Sequence, residues 1–331
     1  MASPHLSEIV TTTLRHRNRK LADNMTNNNV LLARLKARGK RKPAAGGESI
    51  LEELEYDENQ TFLWFSGYDP LDVRPSDVMT AAEFDWKEAA VAVTISEREQ
   101  RMNMGRERMI PLLERRISNA EKTFMNEMSK AIHSDGTGSG GKQLTGLMAA
   151  VPANTTVGDS RIETATYGRI NRANWTFWRP QHHYVATLDI SEETIKSLMI
   201  QLWLRLCRNQ DKTDLIVSND NMYRAYWEAL QTQQRFTNPN LGKMGFMSLK
   251  FDMADVVSDQ GVGGPLTANT MYFLNTDYIY FRPHSSSDVV TLDDRMSVNQ
   301  AALVKLTYFM GNMTCSNQML QGRLSAGAVQ A

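Results

Sequence analysis

The sequence feature that most constrains the fold is a long amphipathic segment from Met109 to His133. Its apolar residues recur at intervals of three and four, with charged residues between them. They are Ile110, Leu113, Ile117, Ala120, Phe124, Met128 and Ala131. This period predicts an α-helix, and its length of about 36 Å at ~1.5 Å per residue is unusual for a globular protein.

The remaining patterns alternate between helix and strand. Ser191 is a suitable N-cap for an amphipathic helix, Leu215-Ile216-Val217 has the composition of a buried strand, and Asn219 or Asp220 can cap a further helix. Residues 302–314 alternate apolar and polar side chains over the length of a long strand. Because these elements follow no regular βαβ repeat, the predicted fold class is α+β.

Composition limits the class of protein. A chain of 331 residues exceeds the usual size of one core, so we expect two or more modules. With 41% hydrophobic and 22% charged residues, it has the balance of a folded soluble protein. Cys207 and Cys315 are too few for a disulfide framework, and no apolar run reaches the ~18 residues that span a bilayer. The N-terminal residues show no apolar signal core, so we expect neither a secreted toxin nor a membrane protein.

The N-terminal segment is strongly basic although the whole chain is neutral. Residues 1–42 hold ten basic side chains against Glu8 and Asp23, a net charge of +8, and an acidic block follows at residues 48–58. The segment has an asparagine-rich middle and few apolar anchors, so we expect it to gain order from nucleic acid, an acidic protein surface or another copy. A solvated, frayed terminus is the alternative.

Two apolar runs predict a projecting ribbon. Residues 61–65 and 89–96 read as strands, separated by turn material. A two-stranded ribbon is marginal in water by itself, and Trp64, Phe84 and Trp86 would be poorly covered on it unless a neighbouring subunit covers them. The alternative is a hairpin folded onto its own domain.

A glycine-rich loop carries the nearest match to an enzyme motif. Residues 136–142 fit the pattern G-x-x-x-x-G-K of phosphate-binding loops. However, Gln143 stands where a Ser or Thr must hold magnesium, and the loop follows a predicted helix instead of a buried strand. These departures from the motif argue against nucleotide binding. A nucleotide hydrolase remains an alternative, and loss of ATP turnover in Lys142→Ala would support it.

No other pattern indicates catalysis. The adjacent His182 and His183 point to opposite sides of an extended chain, and Cys207 is expected to pack as a small apolar residue. The sequence has no H-E-x-x-H, C-x-x-C or G-x-S-x-G motif. We therefore predict no catalytic residue, metal site or cofactor.

The order of these parts resembles the major capsid proteins of tailed bacteriophages with the Hong Kong 97 type fold. The resemblance covers most of the chain and is weakest over residues 1–45. Five stretches carry it: 64–68, 91–96, 140–147, 167–173 and 175–179. It implies an N-terminal arm (1–47), an extended β-hairpin loop (48–103), a peripheral domain built on the long spine helix (104–187 with 300–331) and an axial domain (188–299).

The resemblance also implies a structural function. Copies would form the hexamers and pentamers of an icosahedral head around double-stranded DNA, assembled in the cytoplasm of the host bacterium. The arm and the extended loop would contact neighbouring subunits. The candidate contact residues are Arg15, Arg17, Arg19, Arg34, Arg38, Trp64, Phe65, Tyr68, Phe84, Trp86 and Lys87.

Further partners follow from the same resemblance. An arm of about 47 residues is too short for a fused scaffold, which implies a separate scaffolding protein, together with a portal and, in some relatives, a decoration protein. Lys87 is the only lysine of the extended loop, so we expect no lysine–asparagine crosslink there. The basic arm could bind packaged DNA in a salt-sensitive way. The alternative function is a DNA-binding protein that acts through this arm, although no DNA-reading motif is recognised.

Overall fold

The structure is a computed structural model that describes residues 29–96, 98, 106–186, 190–230, 248–259, 266–291, 295–296 and 302–327. The described helices of eight residues or more are α1 (Val30–Ala37), α2 (Arg106–Ile132), α3 (Ile195–Leu206) and α4 (Asp220–Ala229). Short helical turns lie at Gly138–Gly141, Leu147–Ala150, Thr176–Trp178 and Thr276–Tyr278.

The described strands belong to two larger sheets and two small ribbons. They are β1 (Ile50–Glu55), β2 (Met79–Phe84), β3 (Lys87–Ser96), β4 (Gly158–Arg161), β5 (Thr166–Tyr167), β6 (Ile170–Asn171), β7 (Gln181–Val185), β8 (Leu215–Ser218), β9 (Ser248–Phe251), β10 (Ala254–Ser258), β11 (Thr270–Leu274), β12 (Ile279–Pro283), β13 (Val290–Thr291), β14 (Arg295–Met296), β15 (Ala302–Cys315) and β16 (Gly322–Ala326). Helices and strands mix without a repeated βαβ unit, which confirms the predicted α+β class.

A seven-stranded mixed sheet separates two cores. Its order is β4-β7-β16-β11-β8-β10-β9. On β8, Ile216 packs toward α3 and α4, whereas Leu215 and Val217 pack toward α1 and α2. Both faces are covered, which explains why this strand is a continuous apolar run.

The second sheet is organised around the long strand β15. Strand β3 pairs antiparallel with one side of β15, and β12, β13 and β14 pair with the other side in succession. The prediction of a long strand over residues 302–314 is confirmed: β15 begins at Ala302 and ends at Cys315, one residue later than predicted. Residues 40–44 continue this sheet beyond β12, where the Lys42 N–H donates to the carbonyl of Phe281 at 3.1 Å.

The predicted spine helix is confirmed as α2. It begins three residues earlier than predicted, so Pro111 lies in its second turn and removes one backbone hydrogen bond there. Ile117, Phe124 and Met128 of the predicted stripe are buried. The stripe therefore faces the sheet and core as its period indicates.

Three predictions need correction. Residues 61–65 form no strand; the partner of β1 is β2, and residues 89–96 pair with β15 instead. The side chains of Asp57 and Asn59 accept hydrogen bonds from the N–H groups of Glu58 and Thr61, which favours turns over an extended ladder.

The N-cap of α3 is Thr194, one turn after Ser191, because residues 192–194 form a turn before the helix.

The third correction concerns the arm. Its segment α1 buries Val30, Leu31, Leu32 and Leu35 in the core of its own chain. The prediction that the arm has few anchors is wrong for this segment, because the consecutive residues Val30, Leu31 and Leu32 point in different directions around α1 and all are buried. The part of the arm before residue 29 lies outside the described residues.

The seven-stranded sheet crosses the predicted domain boundaries. Strands β4, β7 and β16 come from the ranges assigned to the peripheral domain. The other four strands come from the range assigned to the axial domain. These ranges therefore share one hydrogen-bonded sheet.

Candidate interaction surfaces

The loop between β1 and β2, residues 56–78, exposes most of its large apolar side chains. Trp64 is 90% exposed, and Tyr68 is as exposed as in an isolated residue. The other exposed members are Phe62, Leu63, Phe65, Leu71 and Val73. An exposed apolar group of this size marks a candidate interaction surface.

The ribbon β1–β2 that carries this loop is fixed to its own chain on one face. Ile50, Leu54 and Phe84 are buried, and the Phe84 ring lies 5.0 Å from the ring of Tyr167. Gly168 makes this approach possible, because a Cβ atom there would lie 2.9 Å from the Cβ of Ala82. The prediction that Phe84 is poorly covered is therefore wrong, since the hairpin β5–β6 covers it.

A buried carboxylate joins the ribbon to the second sheet. Glu52 accepts hydrogen bonds from Arg282 Nε at 2.6 Å and Nη2 at 2.8 Å, and from the Thr314 hydroxyl at 2.7 Å. Bidentate pairing of this kind fixes orientation as well as distance. Glu52 therefore sets the direction in which the ribbon and its loop leave the body of the subunit.

Two more candidate residues lie where the ribbon joins the second sheet, Trp86 between β2 and β3 and Lys87 at the start of β3. The Trp86 indole N–H donates to the carbonyl of Gly47 at 2.9 Å, and its ring lies 5.3 Å from the ring of His284. Lys87 donates to the carbonyl of Gly141 at 2.7 Å. Both side chains already form hydrogen bonds within their own chain, so a contact with a neighbouring copy would have to form beside these bonds or replace them.

Of the candidate arginines of the arm, Arg34 and Arg38 are described, and both bind acidic residues of the same chain. Arg34 lies 3.1 Å from Asp214 and 3.4 Å from Asp255. Arg38 lies 3.3 Å from Asp214 and 2.7 Å from Asp277. Nothing local in the sequence indicates these partners, because the acidic residues follow Arg34 and Arg38 by more than 170 positions. Arg15, Arg17 and Arg19 lie outside the described residues.

A polar junction ties α1, α2 and the seven-stranded sheet together. Asp259 accepts hydrogen bonds from Asn29 at 3.2 Å and lies 2.9 Å from His133 Nε2. Asn29 also donates to Ser129 and, through its amide oxygen, caps α1 at Leu32. The described part of the arm is thus attached to the end of the spine helix.

The glycine-rich loop has the wrong geometry for a phosphate. The Thr137 N–H donates to the Asp135 carboxylate at 2.9 Å, and the Gly141 N–H donates to the carbonyl of Thr137 at 3.0 Å. These N–H groups are used within the loop, whereas a phosphate-binding loop directs them at its ligand. The loop follows α2, as the sequence indicated.

The histidine pair and the cysteines lie in structural environments. His182 and His183 contact Ser325 and Asp159 on opposite faces of β7, which confirms the predicted orientation. Burial lowers the pKa of His182 from 6.5 to about 4, with a smaller contribution from Arg323. Burial likewise raises the pKa of the Cys315 thiol to about 12 and, more weakly, that of Cys207.

The described residues contain neither a cluster of metal ligands nor a membrane-spanning helix. No group of three or more His, Cys, Asp or Glu side chains among them could hold a metal ion. None of the helices in this part of the chain is both long and apolar enough to cross a membrane.

The fold is similar to that of shell proteins in solved structures. The capsid asymmetric unit of cyanophage A-1(L) matches 87% of this chain and 90% of its own, at 13% identity and a TM-score of 0.58. The satellite phage P4 procapsid, which includes a size determination protein, matches 99% and 94%, at 9% identity and a TM-score of 0.51. The holo-SrpI encapsulin complex of Synechococcus elongatus matches 88% and 86%, at 8% identity and a TM-score of 0.51.

No protein-family model matches the sequence. No curated protein sequence matches it. The structural matches extend over most of each chain, so they show that this chain has the Hong Kong 97 type fold predicted from the sequence.

Proposed function

We propose that the chain is the major capsid protein of a tailed bacteriophage. Copies of it form the hexamers and pentamers of an icosahedral head that encloses double-stranded DNA. The observation that carries this proposal is the shared fold with phage capsid subunits over most of the chain. At sequence identities of 9–13%, these matches show the fold, and we infer the function from that fold.

The exposed loop supports assembly as the purpose of the fold. Trp64, Phe65 and Tyr68 are exposed on the loop that the ribbon β1–β2 carries, so we expect a second subunit to cover them. Aromatic side chains of this kind often supply most of the binding energy of an interface. Arg34 and Arg38 contribute to the stability of the subunit through their own-chain partners, and Arg15, Arg17 and Arg19 remain proposed contacts.

The domain assignment also remains a proposal. Residues 1–47 form the arm, 48–103 the extended loop, 104–187 with 300–331 the peripheral domain and 188–299 the axial domain. Since the seven-stranded sheet takes strands from both of the last two, we propose that they act as one rigid body. The arm and the loop are then the elements that reach other subunits.

We propose a separate scaffolding protein, a portal and, in the finished head, a decoration protein as partners. The satellite phage P4 procapsid, which has a similar fold, includes a size determination protein, and this supports accessory partners of this kind. The basic arm binds packaged DNA through phosphates, so this contact weakens as salt is raised. Assembly takes place in the cytoplasm of the host bacterium, and the chain itself performs no catalysis.

The direct test is to express the chain with and without its scaffolding protein and to examine lysates by sedimentation and negative-stain microscopy. Closed shells, or rings of five and six subunits, are expected. A stable monomer or dimer under both conditions would contradict the proposal. Because an encapsulin shares the fold, particles from infected cells should also be tested for nuclease-protected DNA, which a phage head contains.

The alternative function, DNA binding through the basic arm, has a separate test. Unassembled protein would shift DNA in a gel, and the shift would weaken as salt increases. The structural matches give this alternative no support.

A further inference from the structure

The described residues form a cavity of about 390 Å³ between the spine helix α2 and strand β3. Its inner wall is apolar and belongs to the core, since Phe124, Met128 and Phe309 are buried. The rings of Phe124 and Phe309 lie edge to face at 6.4 Å. A cavity of this size with a mainly apolar wall and a few polar groups has the character of a site for a small organic molecule.

The cavity is elongated along both of these elements. Its lining extends along α2 from Thr123 to Ala131, which is about 12 Å at ~1.5 Å per residue. Along β3 it extends from Lys87 to Val91, which is about 13 Å at ~3.3 Å per residue. At about 1.5 Å per C–C bond, an extended chain of about ten carbon atoms matches this length.

The glycine-rich loop places positive charge at the mouth of the cavity. Lys142 lines the cavity, is exposed, and forms no ion pair among the described residues. The preceding Gly140 and Gly141 have φ angles of +71° and +81°, a conformation that favours glycine, so this turn depends on them. The Lys87 ammonium donates to the carbonyl of Gly141 at 2.7 Å, which brings a second cation to the same loop.

The acidic side chains of the lining already have partners. Glu127 lies 2.7 Å from the ammonium of Lys130, and Glu88 accepts a hydrogen bond from the Tyr308 hydroxyl. The charge of Lys142 is therefore left for a ligand, and it favours an anionic group there.

We propose that this cavity binds a straight-chain aliphatic carboxylate of about ten carbon atoms. The alkyl chain lies between α2 and β3 against Phe124, Met128 and Phe309. The carboxylate pairs with Lys142 at the glycine-rich loop. Such a site goes beyond the proposed capsid function and does not depend on it.

Titration calorimetry of the purified, unassembled full-length chain with sodium decanoate, below its micelle concentration, tests this proposal. One decanoate per chain should bind saturably. Octanoate should bind about 15-fold more weakly, because each buried CH₂ group changes the affinity about fourfold. Absence of saturable decanoate binding, or equal affinity for the two acids, would overturn the proposal.

Filling the cavity shows where the ligand binds. Ala89 lines the cavity on β3, so Ala89→Phe should weaken decanoate binding at least about tenfold. Ala81→Phe makes the same change at an exposed position of β2 outside the lining and should keep the affinity within about twofold. Thermal unfolding shows that each variant is folded, and Thr123→Phe at the exposed rim provides the same test if Ala89→Phe does not fold. Unchanged affinity in the filled variant, or an equal loss in the control, would show that decanoate binds elsewhere.

The role of the charge is tested with Lys142→Gln. This change should weaken decanoate binding about three- to fivefold, as expected for an exposed ion pair, and should leave the binding of neutral decan-1-ol within about twofold. An equal change for both ligands would contradict the pairing of the carboxylate with Lys142. Because every titration uses unassembled chains, the results do not depend on whether copies form a shell.

Discussion

At the residue scale, the orientation of the extended loop depends on Glu52. Its carboxylate is buried, and it accepts two hydrogen bonds from Arg282 and one from Thr314. Glu52→Ala should lower the free energy of unfolding by about 2–3 kcal/mol, because it leaves the partly buried guanidinium without its carboxylate. The neighbouring change Glu53→Ala is the matched control and should cost less than about 0.5 kcal/mol. Urea unfolding of the subunit measures both, and equal losses would contradict the assignment.

His182 gives the subunit a pH dependence of definite sign. Its pKa falls from 6.5 to about 4 on folding because the ring is buried. The unfolded chain therefore binds more protons between these values, so the contribution of His182 is fully present above pH 6.5 and is lost as pH falls toward 4, by up to about 3 kcal/mol.

The measurement is urea unfolding at pH 7 and pH 4.5 for the native chain and for His182→Gln. The variant keeps a polar group near Ser325 but cannot titrate. It should lose about 2–3 kcal/mol less between the two pH values than the native chain does. Identical losses would show that His182 does not carry this dependence.

At the scale of elements, α1 decides whether the arm belongs to the subunit. Leu35 is fully buried on this helix. Leu35→Ala should therefore cost about 2–5 kcal/mol of stability through lost burial and the cavity left behind. Leu63→Ala makes the same change at an exposed position and should be nearly neutral. Thermal or urea unfolding distinguishes them, and a neutral Leu35→Ala would mean that the arm does not depend on this packing.

The elements also show which parts of the fold were predictable. The period of Ile117, Phe124 and Met128 predicts α2 because a local pattern determines which face of a helix is buried. The partner of a strand is determined by contacts distant in sequence, so local composition wrongly predicts a strand at residues 61–65 and does not predict the pairing of β1 with β2. The exposure of Trp64 follows from the expectation that a two-stranded ribbon covers it poorly, although the residue lies on a loop and not on a strand. The bond between Glu52 and Arg282 spans 230 residues and leaves no local signal.

At the scale of the whole molecule, the proposed function requires surfaces that are unnecessary for folding. Trp64 is such a residue, since it is 90% exposed. Trp64→Ala should leave the free energy of unfolding within about 0.5 kcal/mol but should reduce the yield of assembled particles strongly, because aromatic anchors dominate interfaces. Sedimentation of the variant gives the yield. Normal particle yield with Trp64→Ala would remove this residue from the interface.

The central claim is that copies of this chain form a closed shell. Cryo-electron microscopy of particles assembled from the unmodified chain tests it most directly. The account predicts an icosahedral map whose five- and six-fold capsomers each accommodate the described fold, with the loop of residues 56–78 lying on a neighbouring subunit. Particles without rotational symmetry, or a map in which this loop faces solvent in every copy, would contradict it.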